Sequence, residues 1–479
     1  MSISNSIRPL FYAGLAILGI AFYSYFLNYH YPAALAWDEN YHIAAAEKYL
    51  HGVMFMEPHP PLGKLLIASG EWLLDPNQYL DTSSFLHTDY IKTIPDGYSF
   101  IGVRFFPVLF ACFSAVLFFL ILYQLSRHLI TAILFSSLYL FENAMIVHSR
   151  TAMLESLQIF FIFAAIGYFL YRLDKPPNCS RHYFLLGILV GLATAVKLNS
   201  LILLFLFPGM WFYRNSLKTT VENLIKLLNT GSSFLLGLLS MFLLSYYLHF
   251  ALGQNVLTKS YEASPEYLQI LENKSMLNPL NFLTMFKDNL YYIKKYEQGV
   301  PLQHEPGSSP GTWAFGNKAI NYRSERDKDK IHYLYLQGNP LIWLLVIIGV
   351  ILSLVQIIAY LFFRLKIKRD KNFYLISLFT FMYLAYLAVM FNLGRVMYLY
   401  HYLIPLFFGT FLFYLQFHQF LGEKLKKNPY PIYWGIIILV AEILFCYFYF
   451  SPLTYYHPLS TEEFMQRQWV DFWHLKMLR

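Results

Sequence analysis

Residues 341–363 read LIWLLVIIGVILSLVQIIAYLFF, without one charged side chain. A helix of that length rises about 35 Å at ~1.5 Å per residue, enough to cross a hydrocarbon core of ~30 Å. Residues 10–28, 105–124, 231–251, 373–391 and 432–450 are similar apolar runs. Of the 479 residues 57% are hydrophobic and 13% charged, about half the charge content of a soluble domain. The expected fold is therefore all-α and polytopic, with the lipid bilayer as its first partner. The net charge of +8 does not point to nucleic acid, because the basic residues sit in short loops between apolar runs and no nucleic-acid motif accompanies them.

Those basic loops set the topology, since Lys and Arg mark the cytoplasmic side. Arg8, Arg127, Arg172, Lys175, Arg181, Arg214, Lys218, Lys226, Arg364, Lys366, Lys368, Arg369, Lys371, Lys424, Lys426 and Lys427 all fit that side. Residues 183–213 have basic flanks at both ends, which demands an even number of crossings, so two short helices are expected to meet near residues 197–200. The count becomes about eleven spans in one integral membrane domain over residues 1–479. Residues 1–30 are read as a retained first span, because the apolar run is too long for a signal peptide. Two large loops, residues 30–100 and 252–338, and a tail from 452 then fall on the outer face. The tail, with Thr461, Glu462, Glu463, Trp469 and Trp473, is expected to be a capped amphipathic helix at the interface. Cys112, Cys179 and Cys446 show neither metal spacing nor a disulfide framework.

Asp38 and Glu39 lie just beyond the first span. Ionisable residues at a membrane boundary are costly unless solvated or paired, so they are functional candidates. Neighbours on a helix diverge by about 100°, so one can face a reacting centre while the other braces the fold. The competing reading is a simple helix cap. About twenty residues on come His59, Pro60, Pro61, Leu62, Gly63 and Lys64. Proline suits a first helical turn and helix N-termini favour anions, so His59 and Lys64 form a candidate phosphate corner, or else a stiff turn with a snorkelling lysine.

Arg104, Arg150, Lys197, Arg395 and His401 recur at the same outer boundary. A charge inside the bilayer costs roughly 2.5–3.5 kcal/mol on insertion scales, and convergence on an anionic ligand explains the set more economically than separate snorkelling. Glu155 follows Arg150 by five positions, a poor helical pairing, so a neighbouring helix is the better partner. In the second large loop, residues 304–323 read HEPGSSPGTWAFGNKAINYR. This turn-rich stretch offers Trp313 and Tyr322 as sugar-stacking rings. His304 has no second ligand at metal spacing, and His42 and His51 read as structural. No metal or other cofactor is demanded, although a divalent cation is compatible.

The order of these motifs resembles the protein O-mannosyltransferases, glycosyltransferase family 39 of the polytopic GT-C superfamily. The matching stretches are Asp38-Glu39; residues 59–66; Ile101-Gly102-Val103-Arg104-Phe105-Phe106-Pro107; Ser149-Arg150 with Glu155 where the family usually has aspartate; residues 191–197; Gly338-Asn339-Pro340-Leu341-Ile342-Trp343; and residues 395–402. The resemblance implies a GT-C-type helical bundle whose two large extracytoplasmic loops carry short helices. It implies an inverting glycosyltransferase of the plasma membrane that moves a sugar, mannose in the family, from a polyprenyl-phosphate donor to Ser or Thr hydroxyls of a protein on the extracytoplasmic face. By the same resemblance Asp38 matches the catalytic base, Glu39 its companion and Arg104 an arginine needed for activity. His59, Lys64, Arg150, Lys197, Arg395 and His401 become donor-phosphate, sugar or scaffold contacts. The family's eukaryotic β-trefoil insert is missing from the second loop, as in a bacterial-type member, and the second-loop motif is altered around Ser308, Trp313 and Lys318. Two rival readings keep the spans: an aminoarabinose-type transferase with a lipid acceptor, which usually has lysine where this chain has His59, and a secondary transporter.

Overall fold

The structure, a computed structural model, describes residues 4–175, 179–213, 220–257, 263–301, 303–363 and 370–478. Of the basic loop residues, Arg214, Lys218, Arg364, Lys366, Lys368 and Arg369 lie outside the described residues. Among the described residues, eight helices are long and apolar enough to cross a membrane: Arg8–Phe26, Ile101–Ser126, Glu155–Leu173, Val221–Leu252, Pro340–Phe362, Lys371–Asn392, Leu399–Lys427 and Pro429–Tyr455. The helical, polytopic fold class is as expected. The count of eleven is not reached on length and apolarity alone.

Two stretches make the difference. The third expected span, about 129–147, breaks into Leu129–Leu140 and Asn143–Ser149, bent by 62°. Glu142 sits at the break and caps the second half, accepting from Met145 N at 2.6 Å. The same carboxylate takes Asn339 N and Trp343 Nε1, each at 2.9 Å. Counting this pair as one span gives nine. Residues 183–213 do divide at Lys197, into Ser180–Val196 and a second apolar piece, Leu198–Phe212, both short. The first of these lies almost backbone to backbone on Val221–Leu252. A Cβ on Gly187 would stand 2.1 Å from Phe234 O, and one on Gly237 2.2 Å from Phe184 O. Small residues at such crossings replace the hydrophobic drive that lipid removes with close van der Waals packing.

The resemblance motif at 338–343 proves architectural. Asn339 caps Pro340–Phe362 by accepting from Leu341 N and Ile342 N, and its amide donates to Phe141 O and Ile443 O. One side chain thus satisfies backbone groups of three helices, as buried backbone demands.

Both large loops and the tail meet at one end of the bundle. Val53 bridges Asn255, and Trp37 N donates to Tyr322 O at 3.1 Å. The first loop carries the short helices Glu39–Leu50 and Leu62–Leu74, and the second carries Pro265–Glu272 and Phe282–Gly299. The second loop also holds strands, which the helical expectation lacked. β1 (Ile320–Asp327) and β2 (Lys330–Leu336) form an antiparallel hairpin, and β3 (Pro458–Leu459) from the tail adds to β2. The tail's capping box forms between Ser460 and Glu463, but its helix runs only over Thr461–Met465. Trp473 is buried beneath the hairpin rather than exposed at an interface, because the sheet offers it an apolar face (Phe450, Tyr333 and Tyr335 belong to the same cluster).

Candidate functional site

Asp38 occupies the N-cap position of Glu39–Leu50, yet its side chain makes no capping hydrogen bond. The cap reading therefore fails at the carboxylate, which lines a cavity of about 710 Å³ together with His59, Lys64, Lys197 and Arg395. Trp37, Tyr296, Tyr398 and Tyr400 form its aromatic wall.

Glu39 points the other way. It is fully buried, and its carboxylate takes Arg104 Nε at 2.7 Å and Nη2 at 2.8 Å. It also takes Ala36 N at 2.9 Å and Ala152 N at 2.6 Å. Arg104 Nη1 donates to His30 O and Pro32 O, and Nη2 also to Ala34 O. Arg150 does the same one step earlier, to Tyr25 O, Leu27 O and Asn28 O. The chain leaving the first span has little regular structure to satisfy its carbonyls, and the forked donors of two arginines do so instead. Glu39, Arg104 and Arg150 were expected among the groups meeting substrate. None of them lines the cavity. They hold the segment that presents Asp38.

That segment is held under strain at one residue. Trp37 has φ +45°, a left-handed conformation that side chains other than glycine's adopt at a cost of roughly 1–2 kcal/mol. Its indole stacks on Tyr322, centroids 5.7 Å apart and planes 11° apart. The backbone bond to Tyr322 fixes it from the other side.

The cavity's cations are each matched to a carboxylate. Lys64 Nζ donates to Glu57 Oε1 at 2.6 Å, and Glu57 is clamped by Asn289, whose side chain accepts from Glu57 N at 2.9 Å and donates to Glu57 O at 3.0 Å. Lys197 donates to Glu155; Arg150 does not pair with Glu155. Arg395 Nη1 meets both oxygens of Glu297, at 2.8 and 2.9 Å, while its Nε is buried without a partner among the described residues. An ammonium has three donors and a guanidinium five, so each cation keeps donors for an anion. Among the described residues no salt bridge engages Asp38.

Burial pushes the Asp38 carboxyl up from its ordinary 3.8 to about 6; Lys197 pulls it down, Glu155 pushes it up and Lys64 pulls it down, and burial dominates. His59 is held well below the usual imidazole range by burial and by the charges of Lys197 and Lys64. At neutral pH it is an uncharged hydrogen-bonding group, not one of the cations. His42, read as structural, lines the cavity while its Nδ1 bonds Ala152 O at 2.7 Å. Burial lowers it to about 3, so it too is uncharged at neutral pH.

Three other expected contacts stand behind the wall. Trp313 is fully buried, donates Nε1 to Ser308 Oγ at 2.9 Å and stacks on His401. His401 is buried and bonds Tyr398 O at 3.0 Å. Tyr322 backs Trp37. None of the three lines the cavity: large rings in a water-poor interior pack against each other, and the rings that reach the hollow include Trp37, Tyr296, Tyr398 and Tyr400. The last two fall within the 395–402 motif, the one signal that marks them. An adjoining hollow of about 610 Å³ shares His304 and Arg395 and is lined by Ser308 and Lys318, where the second-loop motif is altered. Among the described residues no group of three metal-ligating side chains forms.

The fold and the site define a polytopic helical membrane protein with a charged, aromatic-walled cavity at one end of its bundle. The family model described as dolichyl-phosphate-mannose-protein mannosyltransferase matches residues 15–256. The model of the C-terminal four-transmembrane region of protein O-mannosyltransferase matches residues 282–473. The chain belongs to this family. It is 32% identical over 189 residues to dolichyl-phosphate-mannose–protein mannosyltransferase 1 of Candida albicans, covering 38% of this chain and 20% of that protein. It is 26% identical over 258 residues to the Saccharomyces cerevisiae protein of the same name, covering 51% and 31%. The match thus spans about a fifth to a third of the length of these relatives. The solved protein O-mannosyltransferase complex of S. cerevisiae, bound to the sugar donor, superposes with a TM-score of 0.79 at 16% identity over 99% of this chain and 93% of that one, which establishes the shared fold.

Proposed function

We infer that the chain is an inverting glycosyltransferase that moves mannose from a polyprenyl-phosphate donor to Ser or Thr hydroxyls of proteins on the extracytoplasmic face of the plasma membrane. The observation that carries this reading is the pairing of one unbridged carboxylate, Asp38, with Lys64, Lys197 and Arg395 around a single cavity.

Asp38 takes the proton from the acceptor Oγ–H as that oxygen attacks the anomeric carbon. The bond from that carbon to the phosphate oxygen breaks, and the polyprenyl phosphate leaves with the electron pair. Attack opposite the leaving group inverts the configuration. A carboxylate near pKa 6 is a better base than an ordinary aspartate and is still ionised at neutral pH, the compromise general-base catalysis favours. Lys64, Lys197 and Arg395 stabilise charge growing on the phosphate; such a leaving group needs no proton donor. Glu39 and Arg104 act by holding the Trp37–Asp38 turn.

The test is transfer by the purified chain from polyprenyl-phosphate mannose to a Ser/Thr acceptor peptide. Mannosylated peptide with inverted anomeric configuration supports the reading. Sugar appearing only on added lipid would move it to a lipid-acceptor transferase, and uptake into liposomes without transfer would move it to a transporter.

A further inference from the structure

Lys197 is the exposed end of a buried chain of side chains. Its partner Glu155 receives His148 Nε2 on the other carboxylate oxygen at 2.6 Å, and His148 Nδ1 stands 2.6 Å from the Tyr322 hydroxyl. His148, Glu155 and Tyr322 are 0%, 2% and 4% exposed, and none lines the cavity.

Chemistry sets the direction of each bond. An ionised carboxylate only accepts, so His148 carries its proton on Nε2. Nδ1 meets the Tyr322 hydroxyl, and an O–H that donates there needs that ring nitrogen bare. One neutral tautomer satisfies every partner. An imidazolium would turn the tyrosine oxygen into an acceptor and leave its proton without a described recipient.

We propose that Tyr322 and His148 are positioning residues that act through Glu155 to present the Lys197 ammonium to the donor phosphate. This rests on the function inferred above. His148 occupies one carboxylate oxygen, so Lys197 is held by the other alone and keeps two N–H donors for the ligand. Without that bond the carboxylate turns both oxygens toward Lys197 and draws it off the cavity wall. Tyr322 also stacks on Trp37 and accepts its backbone N–H, so one residue of the second large loop sets both the turn before the base and the cation opposite it.

The experiment uses the full chain in lipid nanodiscs. Nitrogen-15 spectra of labelled histidine, with His148 assigned by its loss in His148→Ala, are expected to show a neutral, Nε2-protonated ring in the wild type. In Tyr322→Phe, which keeps the ring on Trp37, Glu155 is expected to keep the proton on Nε2 while the Nδ1 signal shifts with the loss of its hydroxyl partner. Titration with polyprenyl phosphate is expected to bind about tenfold more weakly in Tyr322→Phe and His148→Ala, as an unpaired buried group disturbs the chain. His148→Gln, whose amide N–H can replace Nε2–H, is expected to recover part of that loss. Acceptor-peptide affinity is expected to stay near wild type in Tyr322→Phe, which separates positioning from general damage. An imidazolium in the wild type, or unchanged polyprenyl-phosphate affinity in both variants, overturns the proposal. If the wild-type chain binds no polyprenyl phosphate, the donor reading falls and the proposal with it; if it binds and the variants match it, the proposal alone falls.

Discussion

Replacing Asp38 by asparagine should remove activity and strengthen the fold in one step. The carboxylate caps no helix and joins no salt bridge among the described residues, and the near-isosteric amide still offers an oxygen to the neighbouring Trp37 indole. What it removes is a buried charge. The Asp38 pKa lies near 6 against an ordinary 3.8, and at ~1.4 kcal/mol per pH unit this amounts to as much as ~3 kcal/mol by which ionisation weakens the folded state. The sign follows from the folded value lying above the unfolded one. The penalty is absent below about pH 3.8, grows as pH rises to about 6, and is complete above that. Asp38→Asn should therefore unfold at a higher temperature than wild type at pH 7, with the gap closing toward pH 4. Mannose transfer to an acceptor peptide should fall by about 10²–10⁴, the usual contribution of a positioned base. Wild-type turnover should itself rise as pH passes through about 6. Thermal unfolding in detergent at the two pH values, with the transfer assay alongside, measures each part. A variant that keeps wild-type turnover, or that is less stable at pH 7, refutes the assignment of Asp38 as the isolated base.

Its neighbour should behave in the opposite way. Glu39→Gln leaves the fully buried Arg104 guanidinium facing a neutral amide, a break expected to cost ~3–5 kcal/mol; a thermal midpoint equal to wild type would argue against the clamp. Lys64→Met removes an ammonium from the cavity wall; on the proposed function the apparent KM for polyprenyl-phosphate mannose should rise by roughly tenfold or more, the worth of a hydrogen bond to a charged group, while the peptide KM holds. Gly102→Ala would put a Cβ 2.1 Å from Glu71 Oε2 and 2.7 Å from Glu71 Cα, and forcing apart the Leu62–Leu74 and Ile101–Ser126 helices should cost ~1–3 kcal/mol, read as lost yield of folded protein and a lower thermal midpoint.

Much of this architecture could be read from the amino-acid order. Apolar runs the length of a bilayer name their own helices, as residues 341–363 do. The division at Lys197 followed from basic flanks on both sides of residues 183–213. The break at 141–142 was not read although Glu142 and Asn143 interrupt the apolar run, because its cause, Glu142 capping one half-helix while holding Asn339 and Trp343 from another, is a contact between distant segments. The hairpin of β1 and β2 was hidden in the same way: its alternation is short, and it is stabilised by a tail strand over a hundred positions downstream.

Composition and order alone determined that this chain crosses a membrane many times and places an acidic pair, a proline-opened helix and a row of cations at the ends of its spans. Only the three-dimensional packing decided which of those charges face the hollow. Adjacent positions 38 and 39 leave the backbone in diverging directions, and Arg104, with Ala36 and Ala152, offers Glu39 four donors that Asp38 cannot reach. A buried charge goes where partners exist, and those partners come from parts of the chain that meet only when it is folded.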